Sequence, residues 1–274
     1  MIAPAHPPGT NGTAKKSTDP LEYVSASRLK SFLTCRLRFY FEKVLALPRP
    51  VAPNLHLGRS VHAALQHYNL ARWRGGDTSE TAVLAAYAKA FANPEGGAVS
   101  FDSPADAEEA ESKGASVVSL FLQQQPPNAP RPMGVEVRIE ADLPSLALPL
   151  LGVIDLVQAD RTTVDYKTVG AAPNLAFEAW LHQTQLTAYA LLIEDATAEA
   201  SPGSELVFLV KTKTPRVISH RVAAPGQTER DRFSRLVEAY ANGVTNEQYY
   251  PSPGMHCAWC DFRGECAGWK GGAT

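Results

Sequence analysis

The stretch that most constrains this chain lies between residues 133 and 168, where helical spacing of apolar side chains gives way to alternation. Residues 133–141, Met-Gly-Val-Glu-Val-Arg-Ile-Glu-Ala, place apolar and polar groups in turn, the mark of a half-buried strand. Residues 148–157 and 162–168 read as two further strands joined by a short polar turn around Asp160. A meander of this kind has one apolar face that helices must cover.

Helical spacing supplies the cover on both sides in sequence. Leu29, Phe32, Leu33, Leu37, Tyr40, Phe41 and Val44 recur as on one helix starting near Ser25. A second helix is expected after Gly58, carrying Val61, His62, Leu65 and Tyr68 and ending before Gly75-Gly76. Two more are expected over 78–92 and 104–124. Beyond the meander, an amphipathic helix is expected over 174–193, a hairpin of strands 206–211 and 216–222, and a helix over 227–241. The order predicts an α/β fold with a mainly helical section at 25–125 and a core at 133–242. A cysteine-rich segment follows at 249–270, the whole of 25–270 forming one domain. Residues 1–20 are rich in Pro, Gly, Thr and Lys, so 1–24 are expected to form a disordered tail.

The meander also carries charge where a plain sheet would not need it. Asp165 and Lys167 are two apart on a strand and so share a face. Folding the preceding strand back across the turn brings Asp155 close to Asp165. Two carboxylates so placed suit a hard divalent cation such as Mg2+. A neighbouring ammonium can orient a water nucleophile or steady charge growing on a phosphate.

The four cysteines form a second constellation. Cys257-x-x-Cys260 can clamp a metal over a tight turn, Cys266 supplies a third thiolate, and Cys35 is the one cysteine left to complete the set. Four thiolates fit an iron–sulfur cluster or Zn2+ equally by spacing.

In order, Gly58 to His62, Glu136 on its strand, Gly152 to Asp155, Asp165-Tyr166-Lys167 and Gln185 to Tyr189 resemble the RecB-like branch of the PD-(D/E)xK nucleases. The resemblance implies a restriction-endonuclease-like core, a central mixed sheet flanked by helices. It implies metal binding by His62, Asp155 and Asp165 with the Tyr166 carbonyl, and a water positioned by Lys167. Gln185 and Tyr189 would buttress this centre, and Glu136 or, on the same strand face, Glu140 would supply the remaining acid. A histidine ligand favours Mn2+ beside Mg2+. Iron–sulfur members of the family, CRISPR-associated RecB-type exonucleases and AddB-type domains among them, split their cysteines in the same way. Ser27, Phe32 and Cys35 echo their N-terminal helix, with the Ser27 to Phe32 spacing one residue off and Arg36 where the family often has Pro, and the resemblance implies a structural 4Fe-4S cluster on Cys35, Cys257, Cys260 and Cys266. It also implies an exonuclease acting on single-stranded DNA ends, in repair, recombination or CRISPR adaptation, beside a helicase or similar partner.

The bulk numbers bound these expectations. A formal net charge of -2 gives no global positive field, so DNA contact requires a local basic groove. Arg28, Lys30, Arg36, Arg38, Lys211, Lys213 and Arg216 are the candidates for it, and Trp259 is a candidate for stacking on a base or shielding the cluster. No nucleotide-binding Gly-x-x-x-x-Gly-Lys loop is present. With no long apolar run and no secretory signal, no membrane role and a reducing, cytoplasmic location are expected.

Overall fold

The computed structural model describes residues 19–271. Five strands form one mixed sheet in the order β1 to β5: Gly134–Ala141, Leu150–Val157, Thr163–Val169, Ser204–Val210 and Arg216–Val222. All neighbours are antiparallel except β3 and β4, which run parallel over their full length. Parallel strands need a crossover, and helices α6 (Leu175–Leu181) and α7 (Gln183–Thr197) provide it.

Both faces of the sheet are covered. On one lie α1 (Ala26–Thr34), α2 (Arg36–Phe39), α7 and α8 (Gln227–Thr245), packing Leu29, Phe32, Phe39, Leu192, Phe233 and Tyr240 against Ile154 and Phe208. On the other lie α3 (Pro53–Arg74), α4 (Glu80–Ala92) and α5 (Pro104–Gln123), packing Val61, Leu65, Val117 and Phe121 against Val164, Tyr166 and Leu209. Strand β4 is buried on both sides, with Leu206 and Phe208 in the first core and Val207 and Leu209 in the second. Its near-continuous apolar run is what a doubly covered strand requires.

Three expectations are corrected in detail. The first expected helix breaks at Cys35, whose backbone is extended (φ -160°, ψ 112°), and continues as α2 and a π-helical turn at Tyr40–Val44. Leu33, expected on its buried face, is 45% exposed. Helix α3 begins at Pro53, ahead of Gly58, because proline suits the first helical position; it ends as expected, at left-handed Gly75. The helix expected over 174–193 is interrupted at His182 (φ -94°, ψ 0°).

Residues 19–24, counted with the expected tail, are packed. Val24 is fully buried and bridges Leu150, and the Tyr240 hydroxyl donates to the Pro20 carbonyl at 2.6 Å. Residues 1–18 of that tail lie outside the described residues. Among the described residues, no helix is long and apolar enough to cross a membrane.

Candidate metal and phosphodiester site

The site grows from a fork in the sheet. Strands β2 and β3 pair only at Leu156–Val164 and Val157–Thr163, then separate. Beyond the fork the Tyr166 amide has no β2 partner, and Asp155 Oδ2 accepts its hydrogen bond at 2.9 Å. The Tyr166 side chain points away into the second core, where its hydroxyl accepts from Asn69 at 3.0 Å and its ring meets Phe121 edge-on. The tyrosine of the Asp-Tyr-Lys segment is thus an anchor that fixes its two neighbours.

Glu136 stands opposite Asp155, between the paired positions Val135–Leu156 and Val137–Ile154. Its backbone has φ 49°, a left-handed conformation that glutamate rarely adopts and that carries strain. The other positive-φ non-glycine residues, Ala46, Arg161, Ala198 and Glu247, lie at turns and helix ends, whereas Glu136 lies within a strand. The ligand atoms of His62, Glu136 and Asp155 all fall within 4.8 Å of one another, the one such group among the described residues. Glu140, the alternative counterpart on this strand, is exposed beside Arg138 and takes no part.

His62 reaches the group from α3. Its Nε2 lies 2.9 Å from the Tyr166 carbonyl oxygen and its Nδ1 lies 3.6 Å from Asp155 Oδ2. With Nε2 donating to the carbonyl, Nδ1 faces a carboxylate, an arrangement that a proton or a cation between them reconciles. The Tyr166 carbonyl, expected as a metal ligand, is therefore engaged by His62.

Asp165 lies outside the 4.8 Å group and is held by α7. Gln185 Nε2 donates to Asp165 Oδ1 at 2.7 Å and to the Tyr189 hydroxyl at 2.7 Å. Tyr189 in turn donates to the Val153 carbonyl at 3.0 Å. Lys167 Nζ lies 2.6 Å from Asp165 Oδ2 and donates to Gln185 Oε1 at 3.2 Å. Buried Asp165 Oδ2 has the Lys167 ammonium as its ion-pair partner and accepts no further hydrogen bond. A histidine and two acids in one group, with a third carboxylate close by, are a donor set suited to a divalent cation.

Glycine 152 allows α7 to come this close. A Cβ there would stand 2.5 Å from Leu192 Cδ1, deep in the core.

The electrostatics follow from burying so many acids together. Burial, then the negative charge of Asp155, raises the Glu136 carboxyl to about 7. Burial likewise pushes Asp155 up, with His62 opposing and Asp165 adding to the rise. Tyr189 is raised far above the ordinary phenol by burial and by Asp165 and Asp155. His182, which the sequence reading did not single out, is lowered to about 4 by burial and by the charges of Lys167 and Lys30. It is neutral near pH 7, so its 3.4 Å contact with Glu178 is not an ion pair there. Its position three residues before Gln185, on one helical face, is the signal that could have found it.

A cavity of about 570 Å3 opens onto His62, Glu136, Asp155 and Lys167, walled by Asn54, Arg59 and Thr168. Among the expected backbone contacts, Arg28 is instead structural. It is buried and donates to the carbonyls of Asp19, Pro20 and Tyr23. Arg36 stacks over Phe32 and Tyr250 and donates to Gln248, and Lys211 donates to Asn54.

The four cysteines gather at the C-terminal end of α1. Cys35 sits in the break between α1 and α2, Cys257 in a 3-10 turn at Met255–Trp259, Cys260 just after it, and Cys266 in α9 (Arg263–Gly268). All four are free thiols and line one cavity of about 80 Å3 with Leu37, Phe41 and Phe262. Burial, then the proximity of Cys35, Cys260 and Cys257, raises the Cys266 thiol. Trp259 is 73% exposed and is not among the residues lining that cavity.

Comparison with known proteins agrees with this architecture. Residues 23–267 match the model of the PD-(D/E)XK nuclease superfamily, and the chain belongs to that superfamily. No curated protein matches it in sequence. The crystal structure of a "putative exonuclease" from Eubacterium rectale superimposes with a TM-score of 0.61 at 16% identity, over 97% of this chain and 95% of that one. At that identity the likeness shows the fold: a restriction-endonuclease-like α/β core with a five-stranded mixed sheet and a helical N-terminal section. A second structure, of SSO0001, covers 88% of this chain and 94% of that one at 15% identity, but its TM-score of 0.38 carries no argument.

A carboxyl raised in the folded state favours the protonated protein, so Glu136 destabilises the metal-free fold as pH climbs from 4.5 to about 7. Glu136→Gln removes that penalty. In EDTA the variant is expected to melt with the wild type near pH 4.5 and several degrees above it by pH 8, by circular dichroism. Equal melting at pH 8 would contradict a buried, charge-strained Glu136.

Proposed function

We propose that this chain is a divalent-metal-dependent deoxyribonuclease that hydrolyses single-stranded DNA from its ends. The observation that carries the reading is the convergence of His62, Glu136 and Asp155 beside the Asp165–Lys167 pair, in a chain of the nuclease superfamily. The name of the Eubacterium rectale protein supports the exonuclease part.

In this reading His62, Glu136 and Asp155 would hold the cation, Mn2+ or Mg2+, with Asp165 as the neighbouring acid. When bound, the ion supplies Lewis-acid stabilisation of charge on the phosphate and lowers the pKa of water. The chain's own residues do the rest. Lys167 has three N–H donors; Asp165 and Gln185 anchor the ammonium, leaving a donor for the attacking water or a phosphate oxygen. Gln185 and Tyr189 fix Asp165 so that its orientation is set before substrate arrives. The cavity along α3 receives the strand next to the scissile phosphate.

The second part of the proposal is a 4Fe-4S cluster on Cys35, Cys257, Cys260 and Cys266. Four thiols facing one small cavity fit a metal group. Four thiolates could also hold Zn2+, and the split layout of one N-terminal and three C-terminal cysteines, which resembles iron–sulfur members of the family, favours the cluster. Its role is structural, joining the α1–α2 break to the C-terminal segment in a reducing cytoplasm.

The nuclease is tested by incubating anaerobically purified protein with end-labelled single-stranded DNA under Mn2+, Mg2+ or EDTA. Cleavage is expected with either metal, none in EDTA, and a rate lower by about 100-fold or more in Lys167→Ala. Cleavage that survives in EDTA or in the variant contradicts this centre; binding without cleavage would favour an inactive DNA-binding subunit. For the cluster, wild-type protein is expected to be brown and to contain iron. Cys35→Ala should lose the colour and melt several degrees lower, whereas colourless, zinc-loaded wild type would refute the iron–sulfur assignment.

A further inference from the structure

Helix α6 follows directly on the strand bearing Asp165 and Lys167, and none of its residues is buried. A surface helix ordinarily turns its apolar side inward. Here the large apolar residues face out: Phe177 is 54%, Trp180 65% and Leu181 42% exposed. Phe177 and Trp180, three apart, share a flank, with ring centroids 5.8 Å apart and planes inclined by 34°.

The other flank of this helix leads towards the site through His182 and α7. Glu178 contacts His182, which feels the charges of Lys167 and Asp165, and Gln185 one turn further binds Asp165 directly. The aromatic pair sits on the outward side of that helix, where Trp180 lines a shallow cleft with Gln183 and Glu229. Exposed cations lie on the neighbouring elements: Arg232 donates to Gln183, three residues beyond Trp180, at 2.7 Å, and Lys30 of α1 is near enough to act on His182.

Rings and cations together select the occupant. Two exposed rings with bordering positive charges match a strand of nucleic acid, whose bases stack on aromatics while its phosphates meet Lys and Arg. In a duplex the base faces are already covered, so only an unpaired strand can use the rings. A stable protein interface buries on the order of 1,200 Å2 or more, well beyond what one seven-residue helix offers.

We propose that Phe177 and Trp180 are a stacking platform for unpaired bases of the DNA strand that enters the Asp155–Lys167 centre, with Lys30 and Arg232 meeting its phosphates. The proposal rests on the nuclease reading and adds the surface by which that site takes single strands.

The test measures binding apart from cutting. Full-length protein, without added divalent metal, is titrated into fluorescein-labelled oligothymidylate and followed by anisotropy. Trp180→Ala is expected to bind roughly tenfold more weakly, Trp180→Phe to retain most of the affinity, and Phe177→Ala/Trp180→Ala to be weakest. Because both rings are exposed, thermal melting should be unchanged, and where cleavage is seen KM should rise while kcat holds. No binding by wild type, or equal affinity in wild type and Trp180→Ala, overturns the platform whether or not DNA is cut. A Trp180→Ala variant that shifts oligomeric state in sedimentation would assign the face to a second copy and equally overturn it.

Discussion

Strands β2 and β3 pair at two positions and then part, which leaves the Tyr166 amide free to be taken by Asp155. That hydrogen bond substitutes a carboxylate for the missing strand partner and holds it where it can also face Glu136 and His62. A fully paired sheet would satisfy the amide with a carbonyl and leave Asp155 to solvent. The fork therefore converts an ordinary backbone requirement, that a buried N–H find a partner, into the placement of an acid.

The two faces of the sheet contribute different parts. From one side α3 brings His62, and the buried Tyr166 ring anchors the strand between Asp165 and Lys167. From the other, α7 approaches closely because residue 152 has no side chain, and Gln185 and Tyr189 lock Asp165 and Lys167. Several acids are thereby packed together, and the raised Glu136 and Asp155 carboxyls register the strain of that arrangement. A cation relieves it, so affinity for metal is built from the same repulsion that destabilises the metal-free protein.

Much of this was legible in the sequence. The apolar pattern of the sequence located every strand to within two residues, and the two-residue spacing of Asp165 and Lys167 placed both on one face. The breaks at Cys35 and His182 were not legible, because apolar periodicity continues through both while the chain turns to serve the cysteine cavity and the site. Glu136 and Glu140 could not be separated by pattern, since both project from one strand face; the left-handed backbone at Glu136 distinguishes them and leaves no trace in composition. Arg28 looked like a surface cation, yet its guanidinium serves three carbonyls of the preceding segment. Charge alone does not say whether an arginine faces phosphate or backbone.

The claim on which the account turns is that Glu136 joins His62 and Asp155 in holding a divalent ion. Mn2+ titration of the metal-free protein, followed by the electron paramagnetic resonance signal of free Mn2+, tests it directly. Wild type and the exposed-site control Glu140→Gln should bind alike, and Glu136→Gln should bind at least about tenfold more weakly. Undiminished Mn2+ binding by Glu136→Gln would contradict the account.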